Sequence, residues 1–365
     1  MRLVPDETLP GGALTAGPLR VAVDDAGVLQ VGRPIDGREV DWLGPGCLIT
    51  PADSGAARVV AGAVTGSVRV ETDWFAAEVR ALTTAPVIVL RLEATATRRG
   101  FGTGEFAVPS VAWHFDPKSR QPGGAPEGLR GFGHQYTEFA LPVFSDEDLS
   151  RWRLLPFRPP VVMPLGLVAP DGRTILLAPL QSFHEQVIAV PAGKETAGDG
   201  LRAGWHGDID DVPAGFATEL AIIAGDGARD CFAIWAGLLR SASGVAAPAR
   251  DADVLGTRVS YWTDNGSAYW YRTEPGLDPA STVVAAVDDL EARGLPVASV
   301  QLDSWWYPHE VLRPFDTDEW VVPPSGMVRW EPRADVLPDG VAELRERLGR
   351  RPLVAHCRHV SSQSP

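Results

Sequence analysis

The sequence predicts a β-rich sandwich followed by a parallel βαβαβ unit, and three observations carry that prediction. Between Pro18 and Ile223 the chain consists of short apolar or alternating runs separated by Gly, Pro and Asp, the rhythm of an antiparallel sheet with one solvated face. At Asp226 the period becomes helical. Beyond Thr257, strand-type and helix-type segments alternate, as parallel strands joined by helical crossovers require.

Taken in order, Leu19–Val23 and Val28–Val31 flank Asp24-Asp-Ala-Gly27, a hairpin turn by composition. Strands are expected at 57–64, 67–74, 75–82 and 87–94, several of them alternating apolar with polar. From Gly100 to Pro160 the strand rhythm loosens, and a Pro/Gly-rich insertion from Asp116 to Gly128 separates Trp113-His-Phe115 from an aromatic stretch around Gly131–Phe139. Strands resume at 161–168, 174–178, 185–190, 201–206 and 216–223. Arg229–Arg240 then places Phe232, Trp235, Leu238 and Leu239 on one helical stripe. The expected organisation is a sandwich over 1–225, a bridging helix and linker over 226–254, and the βαβαβ part over 255–365.

In that last part, Thr257–Thr263 reads as a strand. Asp278 to Gly294 reads as a helix with Asp278 or Ser281 as its N-cap, Pro279 in its first turn and Gly294 just past its end. Val297–Leu302 is a short β-branched run suited to a strand buried on both faces, a second helix falls near 340–348, and 351–357 is a third strand. The second strand ends in Asp303-Ser-Trp-Trp306. In parallel α/β folds the chemistry sits at the C-terminal ends of strands. A carboxylate there accepts hydrogen bonds from sugar hydroxyls, and an indole covers the C–H face of a pyranose. A capping Asp beside two core tryptophans is the competing reading for Asp303, Trp305 and Trp306. Trp262 and Asp264 end the first strand, with Asp264-Asn-Gly also an ordinary turn. His356 and Arg358 end the third, where alternation sends both to one face, lining a pocket or simply solvated.

Composition narrows the partners. A formal net charge of −14 disfavours nucleic acid and anionic membrane, and no apolar run is long enough to cross a bilayer. A carbohydrate, being neutral, fits better. The N-terminus lacks a signal-peptide core, which predicts a cytoplasmic location. Cys47, Cys231 and Cys357 match neither a disulfide framework nor a zinc site. His356 and His359 lack a third ligand at metal spacing, so no metal and no cofactor is expected.

A β-rich domain, a helix, and then Tyr261-Trp-Thr-Asp-Asn-Gly266 and Val300-Gln-Leu-Asp-Ser-Trp-Trp306 resemble the retaining α-glycosidases of glycoside hydrolase clan D, most of all family 36, which includes α-galactosidases and raffinose-synthase-like proteins. The resemblance implies a β-supersandwich-like domain followed by the first strands of a (β/α)₈ TIM barrel, acting on α-linked sugars. That family's second barrel strand commonly ends Ile-Asp-Asp-Gly-Trp. Asp303 matches the first Asp and Trp306 the Trp, whereas Ser304 and Trp305 replace the second Asp and the Gly, so galactose preference does not carry over with them. The family's nucleophile and acid/base come from the fourth and sixth strands, and the residues from 255 onward are fewer than half of the roughly 250 a closed barrel needs. The expectation is therefore an N-terminal fragment, inactive alone, with a C-terminal complementary fragment as partner. A non-catalytic carbohydrate-binding β-sandwich module is the alternative. A nucleotide domain is disfavoured, since no Gly-rich phosphate loop follows the first strand of the last part.

Overall fold

A computed structural model describes residues 14–23, 29–32, 42–43, 46–49, 58–61, 67–100, 110–113, 128–135, 141–144, 162–189, 201–246, 249, 251–264, 268–317 and 326–365. The turn expected at Asp24–Gly27, the insertion from Asp116, His114 and Asn265 lie outside these. The chain divides into two compact units, residues 1–246 and 247–365.

The first unit is mostly β-sheet. One described sheet runs in the order β1 (Leu14–Ala16), β2 (Leu19–Val23), β3 (Leu29–Gly32), β4 (Gly46–Ile49), β9 (Ser110–Trp113), β15 (Leu201–Trp205), β14 (Gln186–Ala189). The other runs β11 (Leu141–Phe144), β10 (Arg130–Gln135), β12 (Val162–Val168), β13 (Thr174–Gln181), β16 (Ala217–Gly225), β8 (Val87–Ala94), β7 (Phe75–Leu82), β6 (Ser67–Glu71), β5 (Arg58–Ala61). Their inner faces meet in one core: Leu19, Val21, Val111, Trp113 and Leu201 from the first sheet pack with Ile88, Leu90, Ile175, Leu177, Leu220 and Ile222 from the second.

The central strands of the second sheet are apolar on both faces because both are covered. On the outer side Val87, Val89, Leu176, Ala178, Ala221 and Ile223 pack under helix α1 (Ala228–Ser243). The helix meets them with Cys231, Ile234, Trp235 and Leu238, an i, i+3, i+4, i+7 stripe, and Trp235 Nε1 donates to the Pro179 carbonyl at 2.7 Å. The expected stripe shifts accordingly: Phe232 sits at its rim, largely exposed, its ring against Phe132 and Trp235. Beyond the helix the same outer face carries a row of alternating charge. Arg69 lies opposite Glu78, Glu78 opposite Arg91, and Arg91 opposite Glu219, so each charge faces its opposite across the strands.

The stretch from 100 to 160, expected to loosen, contributes β9, β10 and β11. Glycine conceals β10: Gly131 and Gly133 interrupt the alternation, and the Phe132 ring lies over Gly166 of β12, where an added Cβ would come within 2.1 Å of it.

The second unit holds a parallel sheet in the order β17 (Val259–Trp262), β18 (Val297–Leu302), β19 (Leu353–Ala355). A short helix, α2 (Val254–Thr257), precedes it, and α3 (Pro279–Ala292) and α4 (Gly340–Arg347) connect its strands. Val283 and Val287 of α3 and Leu344 of α4 pack with Val300 and Leu302. Asp278 is the N-cap of α3, its carboxylate accepting from the Ser281 N–H at 2.7 Å and the Ser281 hydroxyl at 3.0 Å. Gly294 closes the helix at φ +81°, a conformation that costs glycine nothing. The Ser281 N–H is the main cause holding the Asp278 carboxyl below the usual carboxylate range. Because the folded-state pKa is depressed, the cap's contribution is present above the unfolded carboxylate pKa and is lost as pH falls through the folded value. Asp278→Ala is expected to cost about 1 kcal/mol at neutral pH, with the difference from wild type vanishing in acid, as thermal melts at two pH values would show.

Candidate functional site

The end of β18 is where the second unit concentrates buried polar groups. Asp303 is only 3 % exposed. Its Oδ1 accepts from the Ser304 hydroxyl at 2.8 Å and from Trp270 Nε1 at 3.2 Å. Oδ2 has no hydrogen bond to a described residue. The Asp303 N–H and the Trp305 indole N–H both donate to the Thr263 hydroxyl, at 3.2 and 2.7 Å. Thr263, one residue past β17, thus ties two strand ends together, which fixes the carboxylate's backbone as well as its side chain.

Around this carboxylate stand aromatic rings. Tyr271 shares a 3.3 Å hydrogen bond with Ser304, and burial is the chief reason its phenol titrates above the usual range, with the nearby Asp303 charge adding to the effect. The buried Arg313 guanidinium lies 4.4 Å from the Trp270 ring and 5.1 Å from the Tyr271 ring.

A second cluster follows directly. Trp306 packs edge-on against Tyr307 and Trp330 at centroid distances of 5.2 and 4.8 Å. The Tyr307 hydroxyl oxygen accepts from the Arg358 N–H at 3.0 Å and shares a 3.2 Å hydrogen bond with His356 Nδ1. Burial pushes the Tyr307 phenol up, keeping it a neutral hydrogen-bonding group.

Solved structures share this fold. A glycoside hydrolase family 97 enzyme from Pseudoalteromonas sp. strain K8 in complex with acarbose matches at TM-score 0.51 and 10 % identity, over 93 % of this chain and 53 % of that one. A variant of it in complex with panose gives TM-score 0.51, 11 % identity and the same coverages. Alpha-N-acetylgalactosaminidase NagBb from Bifidobacterium bifidum aligns over 94 % of this chain and 58 % of its own, with 12 % identity and TM-score 0.49. The chain therefore spans little more than half the length of the proteins it matches. No family model matches the sequence, and no curated protein does.

The candidate residues thus separate. Asp303 and Trp305 meet through Thr263. Trp305 is core, its indole bonded to that hydroxyl and its ring against Phe315. Trp306 is also buried, while Tyr307 gathers His356 and Arg358. The third strand stops at Ala355, before these two residues, so the alternation expected to send both side chains to one face does not reach them; the Tyr307 hydroxyl meets the His356 imidazole but only the backbone N–H of Arg358. Asp264 lies half-buried past the end of β17. Trp262 is 48 % exposed on β17 itself, and the contacts described above do not include it. Sequence reasoning alone misses Trp270, Tyr271, Tyr307 and Trp330, although the run Tyr269-Trp-Tyr271 is an aromatic cluster of the sort that marks a site. Among the described residues no three His, Cys, Asp or Glu side chains come together as a metal site would need, and no helix is long and apolar enough to cross a membrane.

Proposed function

We propose that this chain is the N-terminal part of a retaining α-glycosidase-type protein, of the α-galactosidase and raffinose-synthase kind, and that residues 247–365 begin its (β/α)₈ barrel. Asp303 grips a hydroxyl of an α-linked sugar. The observation that carries this reading is the Asp303 carboxylate at a strand's C-terminal end, with Oδ1 immobilised by two donors and Oδ2 hydrogen-bonded to no described residue. Ser304, standing where the family has a second carboxylate, orients the first one. Tyr307, His356 and Arg358 form the neighbouring wall, and Trp305 supports it from the core. The fold shared with the family 97 enzyme supports the same reading.

Retaining hydrolysis needs two carboxylates about 5–5.5 Å apart. Among the described residues of the second unit, Asp303 is the one buried carboxylate. This reading assigns Asp303 to sugar binding and places the catalytic pair outside the described residues of the second unit. The test is calorimetric titration of the 365-residue chain with panose, raffinose and methyl α-galactoside, alongside an assay with aryl α-glycosides. Saturable binding, on the order of millimolar, without turnover is expected. Failure of the whole panel to bind, or turnover by this chain alone, would contradict the proposal.

A further inference from the structure

Two described tryptophans of the second unit stand largely in solvent, and they do so for different reasons. Trp262 is exposed on β17, which lies at the edge of the three-stranded sheet. Trp330, 53 % exposed, lies on no sheet edge. Its segment is fixed on both sides: Met327 N–H donates to the His359 carbonyl at 2.9 Å, Val328 N–H to that of Pro308 at 2.9 Å, and Arg333 N–H to that of Trp306 at 2.8 Å. The Met327 carbonyl in turn accepts from Ser361 N–H at 2.9 Å. The indole rests on Trp306 at 4.8 Å and on Tyr307 at 5.9 Å, which leaves the rest of its surface to water.

A large apolar ring held in place with half its area wet forgoes the gain that burial would bring. A ring so placed is pre-organised for a ligand, since little side-chain freedom remains to be lost on binding. The indole of Trp306 beneath it is buried, and its N–H has no partner among the described residues, an uncommon state for a buried donor. Trp330 therefore offers a fixed apolar face on aromatic support, with the half-buried His356 imidazole, bonded to the Tyr307 hydroxyl, as the neighbouring polar group. That matches a pyranose, with its C–H face and its ring of hydroxyls.

We infer that Trp330 is the stacking platform for a sugar ring of the ligand held at Asp303; this inference rests on the carbohydrate-binding reading above. Trp330 provides area and affinity, whereas Asp303 provides the hydrogen bond, so the two are separable by experiment. With panose as probe, Trp330→Ala in the full chain should weaken binding roughly tenfold, and Trp330→Phe should restore most of the loss. A readout free of any folding effect comes from the wild-type chain: oxidation with N-bromosuccinimide, mapped by peptide mass spectrometry, should modify Trp330, and saturating panose should protect it. Panose binding that depends on Asp303 but is unchanged in Trp330→Ala, or Trp330 oxidised equally with and without panose while the sugar is bound, would overturn the platform and leave the Asp303 reading standing. Absence of binding by the whole sugar panel would overturn both.

Discussion

Asp303→Asn is expected to weaken binding of α-linked oligosaccharides by roughly tenfold to a hundredfold while leaving the fold nearly unchanged. The side chains are isosteric, and an amide oxygen at the Oδ1 position still accepts from Trp270 and Ser304. What changes is the Oδ2 position, where a charged acceptor becomes an amide donor. A hydrogen bond to a charged group contributes about 1.5–3 kcal/mol against roughly 1 kcal/mol for a neutral one, and a sugar hydroxyl that donated must now reorient. Asp303→Ala would be a poorer test, because it strips the acceptor from two donors packed around a buried residue and so destabilises as well. Titration with panose reads the affinity, and a thermal melt within about 2 °C of wild type shows that the loss belongs to binding. Unchanged affinity in the Asn variant would remove Asp303 from the site.

Trp205→Ala is expected to be the most damaging single truncation in the first unit, at about 3–5 kcal/mol. Trp205 is fully buried at the end of β15, against Trp74 and Phe216 at 6.1 and 5.1 Å. Its indole N–H donates to Thr218 of β16 at 3.0 Å, so one side chain joins the two sheets by packing and by a hydrogen bond. Truncation leaves a cavity between the sheets and an unused Thr218 acceptor. The unfolding transition of this unit should fall by roughly 10 °C, as differential scanning calorimetry would show. A shift below about 3 °C would mean that the sheets are held together elsewhere.

Much of the architecture is legible in the residues because their periodicity is strong. β7, β8 and β18 occupy the expected ranges, and Asp278, Pro279 and Gly294 bound α3 as their chemistry dictates. β10 is not legible: its glycines carry no alternation, and it is held by pairing with β11 and β12 and by Phe132 lying over Gly166, contacts between residues distant in sequence. The same limit governs the site. Asp303 announces itself as a carboxylate closing an apolar strand, but the groups that aim it, Trp270, Thr263 and Ser304, come from two loops and a second strand end. Nothing in local sequence distinguishes the core Trp305 from the partly supporting Trp306; only the Thr263 hydroxyl and the Phe315 ring decide it.

The central claim, that an α-linked sugar binds at the end of β18, is tested most directly by a crystal structure of the chain with panose bound. The account predicts a sugar hydroxyl within hydrogen-bonding distance of Asp303 Oδ2, about 2.6–3.0 Å. Panose seated instead on the β-sandwich of residues 1–246, with Asp303 left to water, would contradict it.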